Sequence, residues 1–201
     1  MQVTVIDYKA GNLTSVLKAL RHLGADAEVT DSDLSLIERA ERIVLPGVGH
    51  FAATERLDAT GMTVAIRAAI ARGVPFLGIC VGMQWLYAGS SEAADQRGLG
   101  HFKESCTRFP EGDQKVPHVG WNSLETSSGS HLLAGVGAGE FVYFTHSYKA
   151  PLTAETAAVT EYIEPFTAAV ESDNVMGVQF HPEKSGETGL KILQNFLEWA
   201  P

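Results

Sequence analysis

The chain has 201 residues, 45% hydrophobic and 19% charged, which is typical of a globular protein long enough to bury a substantial core. Its formal net charge of −9, with no basic stripe, argues against nucleic acid as the main partner. No apolar run approaches the length of a membrane span and the N-terminus lacks a basic signal region, so we expect a cytoplasmic protein with no membrane partner.

In the first half of the chain, apolar runs of strand character alternate with segments of helical periodicity. The predicted elements are a strand at 3–7, a helix at 13–23, strands at 27–30 and 42–45, a helix at 62–71, a strand at 74–79 and a helix at 82–87. This alternation predicts an α/β fold with a mainly parallel sheet, helices on both faces, and functional groups at the carboxyl ends of the strands.

The second half has closely spaced strand patterns separated by turn signals. The predicted strands are 116–124, 140–147, 157–162, 166–171 and 175–180, and a closing amphipathic helix is predicted at 189–199. We interpret these strands as antiparallel additions to the sheet. With no linker or internal repeat, residues 1–201 are expected to form a single domain.

The most informative segment is the predicted strand at 74–79, which ends in Gly78-x-Cys80-x-Gly82 and passes directly into a helix. A nucleophile on a sharp strand-to-helix turn needs glycines on either side, because the missing side chains let strand and helix approach closely. The N-terminus of the helix favours negative charge, so Cys80 is predicted to be an activated thiolate. A buried structural cysteine between incidental glycines is the alternative interpretation.

A cysteine nucleophile needs a histidine to move protons and a third group to orient that histidine. His181 follows the last predicted strand, and Glu183 stands two residues later, within reach of the imidazole. These residues predict a triad of Cys80, His181 and Glu183. A surface loop with an unrelated histidine and glutamate would give the same local pattern.

The segment Pro46-Gly47-Val48-Gly49 follows another predicted strand. Its glycines let backbone N–H groups face a developing oxyanion, with the amide of Val81 as a second donor. A glycine-flanked peptide can also rest with a carbonyl aimed at that position, which would make the segment a switch. A plain turn after a buried strand is the alternative.

Together these features resemble a class I glutamine amidotransferase over essentially the whole chain. Several segments are similar, more specifically, to the glutaminase subunits of imidazole glycerol phosphate synthases in histidine biosynthesis. These segments are Ile6-Asp7-Tyr8 with Gly11-Asn12-Leu13, residues 45–49 with Phe51, and residues 115–122, 143–148 and 177–185. The chain departs from the usual subfamily pattern at Lys9, where glycine is common, and at Val81, where leucine is commoner.

The resemblance implies that Cys80 attacks the carboxamide carbon of L-glutamine and that the amides of Val48 and Val81 hold the oxyanion. His181, oriented by Glu183, would move the protons. No cofactor and no metal are implied. The residues expected to hold the glutamine are Gly49, Gln84, Glu92, Ser147 and Tyr148.

The resemblance also implies a heterodimer with the cyclase subunit of imidazole glycerol phosphate synthase, a (β/α)₈-barrel. That partner would use the ammonia to form imidazole glycerol phosphate and aminoimidazole carboxamide ribotide. The residues expected to form the docking face are Pro117, His118, Trp121 and Asn122.

Other functions are compatible with parts of this pattern. The glutaminase subunit of another class I amidotransferase, as in anthranilate or pyridoxal phosphate synthesis, would have the same triad and a different ammonia acceptor. A non-catalytic glutamine-binding subunit would have no need of an intact Cys80, His181 and Glu183. A stress protein with a reactive elbow cysteine would leave the segment 181–183 unexplained.

Overall fold

The structure is a computed structural model and describes residues 1–10, 13–112 and 114–200, so Gly11 and Asn12 of the first motif lie outside it. Its strands are β1 Gln2–Ile6, β2 Asp26–Thr30, β3 Ile43–Gly47, β4 Phe76–Cys80, β5 Gly89–Ser90, β6 Ser105–Arg108, β7 His118–Ser123, β8 Glu125–Thr126, β9 Phe141–His146, β10 Tyr148–Lys149, β11 Thr156–Tyr162, β12 Glu164–Ser172 and β13 Val175–Val178. Its α-helices are α1 Leu13–His22, α2 Leu34–Glu38, α3 Glu55–Ala59, α4 Met62–Ala71, α5 Val81–Gln84 and α6 Gly186–Glu198, and 3₁₀ turns span Phe51–Thr54 and Pro182–Lys184.

The main sheet has eight strands in the order β2-β1-β3-β4-β13-β12-β11-β8. The first five of these run parallel, whereas β12, β11 and β8 continue the sheet in antiparallel fashion. Every residue of β3, β4 and β13 is buried, as parallel strands covered on both faces require. The predicted α/β fold, with a parallel sheet and antiparallel additions, is confirmed.

Two of the predicted strands do not join the main sheet. The patterns at 116–124 and 140–147 became β7 and β9, which pair with each other in a separate antiparallel ribbon. Period-two alternation reveals a strand and its two faces, but hydrogen-bonding partners depend on packing elsewhere in the chain. A further small sheet, β10-β6-β5, was missed because its strands have only two to four residues.

The helices fall into two groups. α1 packs with α6, whereas α2 and α3 both pack against α4. Because βαβ crossovers are right-handed, the reversal of strand order at β1 places these groups on opposite faces of the sheet. None of the helices in the described part of the chain has the length and apolar character that a membrane crossing needs.

The sheet register sets the position of the functional residues. Gly47 at the end of β3 pairs with Cys80 at the end of β4, and Ile79 pairs with Val178 at the end of β13. The carboxyl ends of β3, β4 and β13 therefore meet at one edge, where open α/β sheets bind their ligands.

Candidate active site

Cys80 lies on a strained strand-to-helix turn with φ 55° and ψ −110°. A Cβ atom added at Gly78 would lie 2.4 Å from the Gly82 carbonyl oxygen, and one added at Gly82 would lie 1.8 Å from that of Leu45. Both glycines are thus required by close backbone contacts around the turn, and the turn has the geometry of a nucleophile elbow.

His181 and Glu183 lie beside this turn, in the segment that follows β13. His181 is almost fully buried, and its Nδ1 lies 2.9 Å from Glu183 Oε1. Burial lowers the pKa of His181, but its interactions with the Cys80 thiol and with Glu183 outweigh this effect and raise the pKa to about 10. The protonation of His181 is therefore coupled to the sulfur on one side and to the carboxylate on the other, as a proton-transferring histidine needs.

The Nε2 atom of His181 makes no hydrogen bond of standard geometry in this structure. It acts on the neighbouring sulfur of Cys80 through proximity and charge. Catalytic hydrogen bonds are often long in the unliganded state and shorten when substrate binds. The structure brings the three predicted triad residues together in the order that proton transfer needs.

A cavity of about 230 Å³ opens beside Cys80. This volume lies below the range of drug-sized ligand pockets and suits a smaller molecule. Its lining contains all five residues predicted to hold glutamine, together with residues of the elbow and of β9: Gly49, Cys80, Val81, Gln84, Glu92, Pro117, Thr145, His146, Ser147 and Tyr148.

The two predicted oxyanion donors differ in their surroundings. Val81 opens α5 and lines the cavity, and N–H groups in the first turn of a helix have no acceptor within that helix. The N–H of Val48 instead donates to the carbonyl oxygen of Ala10 at 3.0 Å. In this conformation the site therefore has Val81 as a donor but not Val48.

The structure accommodates Lys9, next to Ala10, at the position where the sequence resemblance predicts glycine. Its φ of 65° lies in the left-handed region, which glycine adopts most easily. The Lys9 N–H donates to Asp7 Oδ1 at 2.8 Å, and its Nζ pairs with Asp7 and Asp31 at 2.9 and 2.8 Å. These contacts support the left-handed turn with lysine in place of glycine.

Comparison with known families agrees with this geometry. A family profile described as "Glutamine amidotransferase class-I" matches residues 4–199. The chain belongs to this family.

The amidotransferase is similar in sequence to two proteins named "Imidazole glycerol phosphate synthase subunit HisH". The one from Caldanaerobacter subterraneus subsp. tengcongensis is 48% identical, covering 98% of this chain and 97% of that protein. The one from Aquifex aeolicus is 44% identical, covering 100% and 98%. At this identity and coverage the amidotransferase belongs to the HisH branch of the family.

Solved structures support the fold at lower sequence identity. A structure titled "glutamine amidotransferase" has a TM-score of 0.77 at 20% identity, covering 98% of this chain and 97% of that one. The structure of PurLQS from Thermotoga maritima has a TM-score of 0.74 at 21% identity, covering 98% and 97%. The amidotransferase fold is therefore shared with relatives of very different sequence.

Two side chains that line the cavity, Glu92 and Gln84, are held in place by hydrogen bonds to neighbouring segments. Glu92 Oε2 accepts from the N–H of Phe51 at 2.8 Å and so anchors the segment after Gly49. Gln84 Nε2 donates to the Tyr148 carbonyl and to Gln179 Oε1, both at 3.0 Å. The Oε1 atom of Gln84 has no partner, so an acceptor is available for a ligand group.

Sequence reasoning missed Gln179. Its side chain is fully buried, and its Nε2 lies 3.6 Å from Cys80 Sγ. The available signal was a single polar residue within the otherwise apolar run from Val175 to Phe180. A polar side chain inside such a run is buried only when it is hydrogen-bonded, and this could have marked it as a site residue.

The residues predicted to dock a partner lie on both sides of the β7–β9 ribbon. Pro117 is exposed and Trp121 is 55% exposed, whereas His118 is only 3% exposed and Asn122 is half-buried, with its amide donating to the Glu161 carbonyl at 3.0 Å. Side chains alternate along a strand, so His118 and Asn122 face away from the side that carries Trp121. The expectation of an outward docking role is corrected for His118, which is buried, and stays a prediction for Asn122.

The outward side of this ribbon carries four apolar or aromatic side chains beside Ser123 and Thr145. Val119 and Phe141 are 57% and 56% exposed, and Trp121 packs edge-on against Tyr143 with ring centroids 6.0 Å apart. We call Val119, Trp121, Phe141 and Tyr143 the ribbon face. A contiguous exposed apolar patch of this kind marks an interaction surface.

Among the described residues, no group of three or more His, Cys, Asp or Glu side chains is arranged to hold a metal ion.

Proposed function

We propose that this chain is the glutaminase subunit of an imidazole glycerol phosphate synthase, with Cys80, His181 and Glu183 as its catalytic triad. The observation that carries the proposal is the position of Cys80. It lies on a nucleophile elbow beside the buried His181–Glu183 pair and lines a cavity of about 230 Å³. Membership of the HisH branch supports the choice of synthase over the anthranilate and pyridoxal phosphate systems.

In the proposed reaction the Cys80 thiolate attacks the carboxamide carbon of glutamine, and the carbonyl oxygen becomes an oxyanion. His181 then donates its proton to the departing nitrogen, so that ammonia leaves and a thioester remains. Water, deprotonated by His181, attacks the thioester and releases glutamate and the Cys80 thiolate. The balance is glutamine and water converted to glutamate and ammonia.

The surrounding residues are proposed to bind and orient glutamine. The orphan Oε1 of Gln84 and the backbone of Ser147 and Tyr148 offer polar contacts within the cavity. Gly49 and Glu92 line its other side, where Glu92 has one oxygen committed to Phe51. Val81 and, after a peptide rotation, Val48 would hold the oxyanion.

The proposed partner is the cyclase subunit of the synthase, docked on the ribbon face together with Pro117. The Thr145 carbonyl of β9 lies 4.0 Å from Cys80 Sγ, so the ribbon that carries this face also borders the nucleophile. Ammonia in water near neutral pH is mostly ammonium, which is not a nucleophile. Docking beside the site of release would deliver ammonia before it is protonated.

A single domain over residues 1–201 and a cytoplasmic location are part of the same proposal. Both cysteines of the chain are free, as is usual in a reducing compartment where disulfides are rare.

The decisive experiment uses the reconstituted two-subunit complex and a Cys80→Ala variant. We expect the variant to lose glutamine-dependent synthesis and to keep synthesis from added ammonium salts at high pH, because the cyclase needs only ammonia. Cys106→Ala is the matched control and should retain both activities. Loss of both activities in Cys80→Ala would contradict the division of labour between the subunits.

A further inference from the structure

One buried polar side chain beside the sulfur has no role in the mechanism above. Gln179 follows β13, is fully buried, and has its Nε2 3.6 Å from Cys80 Sγ. We propose that Gln179 is a catalytic residue whose amide N–H donates to the Cys80 sulfur and stabilises the thiolate. The inference rests on the proposed function, because a thiolate matters only if Cys80 is the nucleophile.

The orientation of the Gln179 amide follows from a backbone carbonyl. The Tyr148 oxygen can only accept, so the Gln84 atom 3.0 Å from it is the nitrogen. The same nitrogen lies 3.0 Å from the Gln179 side chain and needs an acceptor there, which is Oε1. The atom of Gln179 that faces Sγ is therefore Nε2, with its hydrogens.

The Tyr148 carbonyl is itself held by a line of three hydrogen bonds, buried or partly buried, that begins on β7. Asn122 Nδ2 lies 3.4 Å from His118 Nε2, and His118 Nδ1 lies 3.1 Å from His146 Nε2. His146 Nδ1 then lies 2.8 Å from the Tyr148 oxygen. Because the line starts at an amide donor and ends at a carbonyl acceptor, both histidines are neutral with the proton on Nδ1. This line fixes the carbonyl that orients Gln84 and Gln179.

The sulfur has few other sources of stabilisation. Cys80 is 3% exposed, so water solvates it poorly, and α5 has only four residues and few aligned peptide dipoles behind it. The His181 imidazole and the Tyr8 phenol are titratable groups that interact with it. Burial and the Cys80 charge raise the pKa of Tyr8, which stays neutral. A donor from Gln179 therefore acts on a poorly solvated anion, where hydrogen bonds are strong.

The test follows alkylation of Cys80 by iodoacetamide against pH, in a Cys106→Ala chain that has no other cysteine. Gln179→Met removes the donor at similar volume, and Gln179→Glu replaces it with a carboxylate. We expect the pH midpoint of alkylation to rise in the order wild type, Met, Glu. At neutral pH the Met variant should react about 10-fold or more slowly, from the strength of a hydrogen bond to a charged group.

Gln194→Met, on the exposed side of α6, is the matched control and should leave the midpoint unchanged. Unchanged midpoints in both Gln179 variants would overturn the inference. A larger shift in the Met variant than in the Glu variant would overturn it too, because that order indicates a packing effect and not the loss of a donor. If thermal unfolding shows that the Met and Glu variants do not fold, Gln179→Asn decides, because it keeps a polar amide but shortens the side chain by one methylene and so withdraws the donor from the sulfur. A midpoint equal to wild type in that variant would overturn the inference.

Alkylation needs neither glutamine nor the cyclase, so this result is independent of the proposed function. Failure of the reconstituted complex to use glutamine would count against the function, whatever the alkylation profile shows. If the complex uses glutamine but the Gln179 variants keep the wild-type alkylation profile, the result would count against the role of Gln179 alone.

Discussion

The backbone N–H of Val48 donates to the carbonyl oxygen of Ala10 at 3.0 Å. An amide that already has an acceptor cannot also bind an oxyanion, so the peptide must rotate before Val48 can serve the reaction. The glycines at 47 and 49 that flank it, the second with φ 103°, make that rotation accessible. In the free chain the oxyanion is therefore left with one of its two proposed donors.

The first prediction is that glutaminase activity depends on the partner. The isolated chain should hydrolyse glutamine poorly, and the cyclase subunit with an acceptor analogue should raise kcat about 10²-fold, which is the usual effect of one oxyanion donor. Steady-state kinetics of the chain alone, with cyclase, and with cyclase plus analogue measure this effect. Iodoacetamide alkylation of Cys80 forms no oxyanion and serves as the control. Equal rates in all three states would exclude the switch.

A second prediction concerns the ribbon face. Trp121→Ala should weaken the complex with the cyclase subunit about 30-fold or more in Kd, as removal of a central aromatic anchor usually does. Val64→Ala is the matched control, since Val64 is 74% exposed on α4, outside the ribbon. Titration calorimetry compares the two variants. A Trp121 variant that binds like wild type would place the interface elsewhere.

Third, a glutamine-like electrophile such as a diazo-ketone analogue should label Cys80 and not Cys106. Burial raises the pKa of the Cys106 thiol well above its usual range, and no water reaches it. Peptide mapping locates the label, with Cys106→Ala expected to retain it and Cys80→Ser to lose it. A label on Cys106 would contradict the assignment of the nucleophile.

The fourth prediction is that Glu183→Gln lowers kcat about 10²-fold with little change in thermal stability. The carboxylate orients the imidazole and stabilises its cation, and the analogous change in serine proteases costs about 10⁴-fold. A cysteine is the better nucleophile and needs less help, so the expected loss is smaller. Glu187→Gln, on the exposed first turn of α6, is the control. Wild-type turnover would remove Glu183 from the triad.

The last prediction concerns acid stability. Burial lowers the pKa of His118 to about 4, and burial together with neighbouring charge lowers that of His146 to about 3. Both pKa values lie below the unfolded value of about 6.5, so the unfolded chain binds more protons and stability falls as pH drops below 6.5. Each histidine contributes up to about 1.4 kcal/mol per pH unit to this fall.

His118→Phe should flatten this dependence, because a phenyl ring fits between Phe144 and Tyr162 and does not titrate. We expect the variant to be less stable than wild type at pH 7, from lost hydrogen bonds, with the difference shrinking at pH 5. Urea unfolding at both pH values measures it, with the exposed His22→Gln as control. A difference that stays constant or grows would contradict the neutral histidine line.

Short contiguous motifs carried most of what could be predicted from the sequence. Gly78-x-Cys80-x-Gly82 predicted the elbow, because the close contact between Gly78 and Gly82 lies within one strand-turn-helix unit, although Gly82 also approaches Leu45 of β3. His181 and Glu183 are separated by one residue, so their pairing is also local. Hydrophobic periodicity likewise predicted the helix at 62–71 and the parallel half of the sheet. That residues 1–201 form one domain stays a prediction.

Only the tertiary structure decided what depends on distant parts of the chain. The pairing of β4 with β13 brings Cys80 to His181, and no local pattern specifies that register. The burial of His118 depends on which face of the ribbon packs on the core. The contacts of Gln179 with the sulfur and of Val48 with Ala10 join separate segments. The sequence determined which chemical groups are present, and packing between distant segments determined where each of them points.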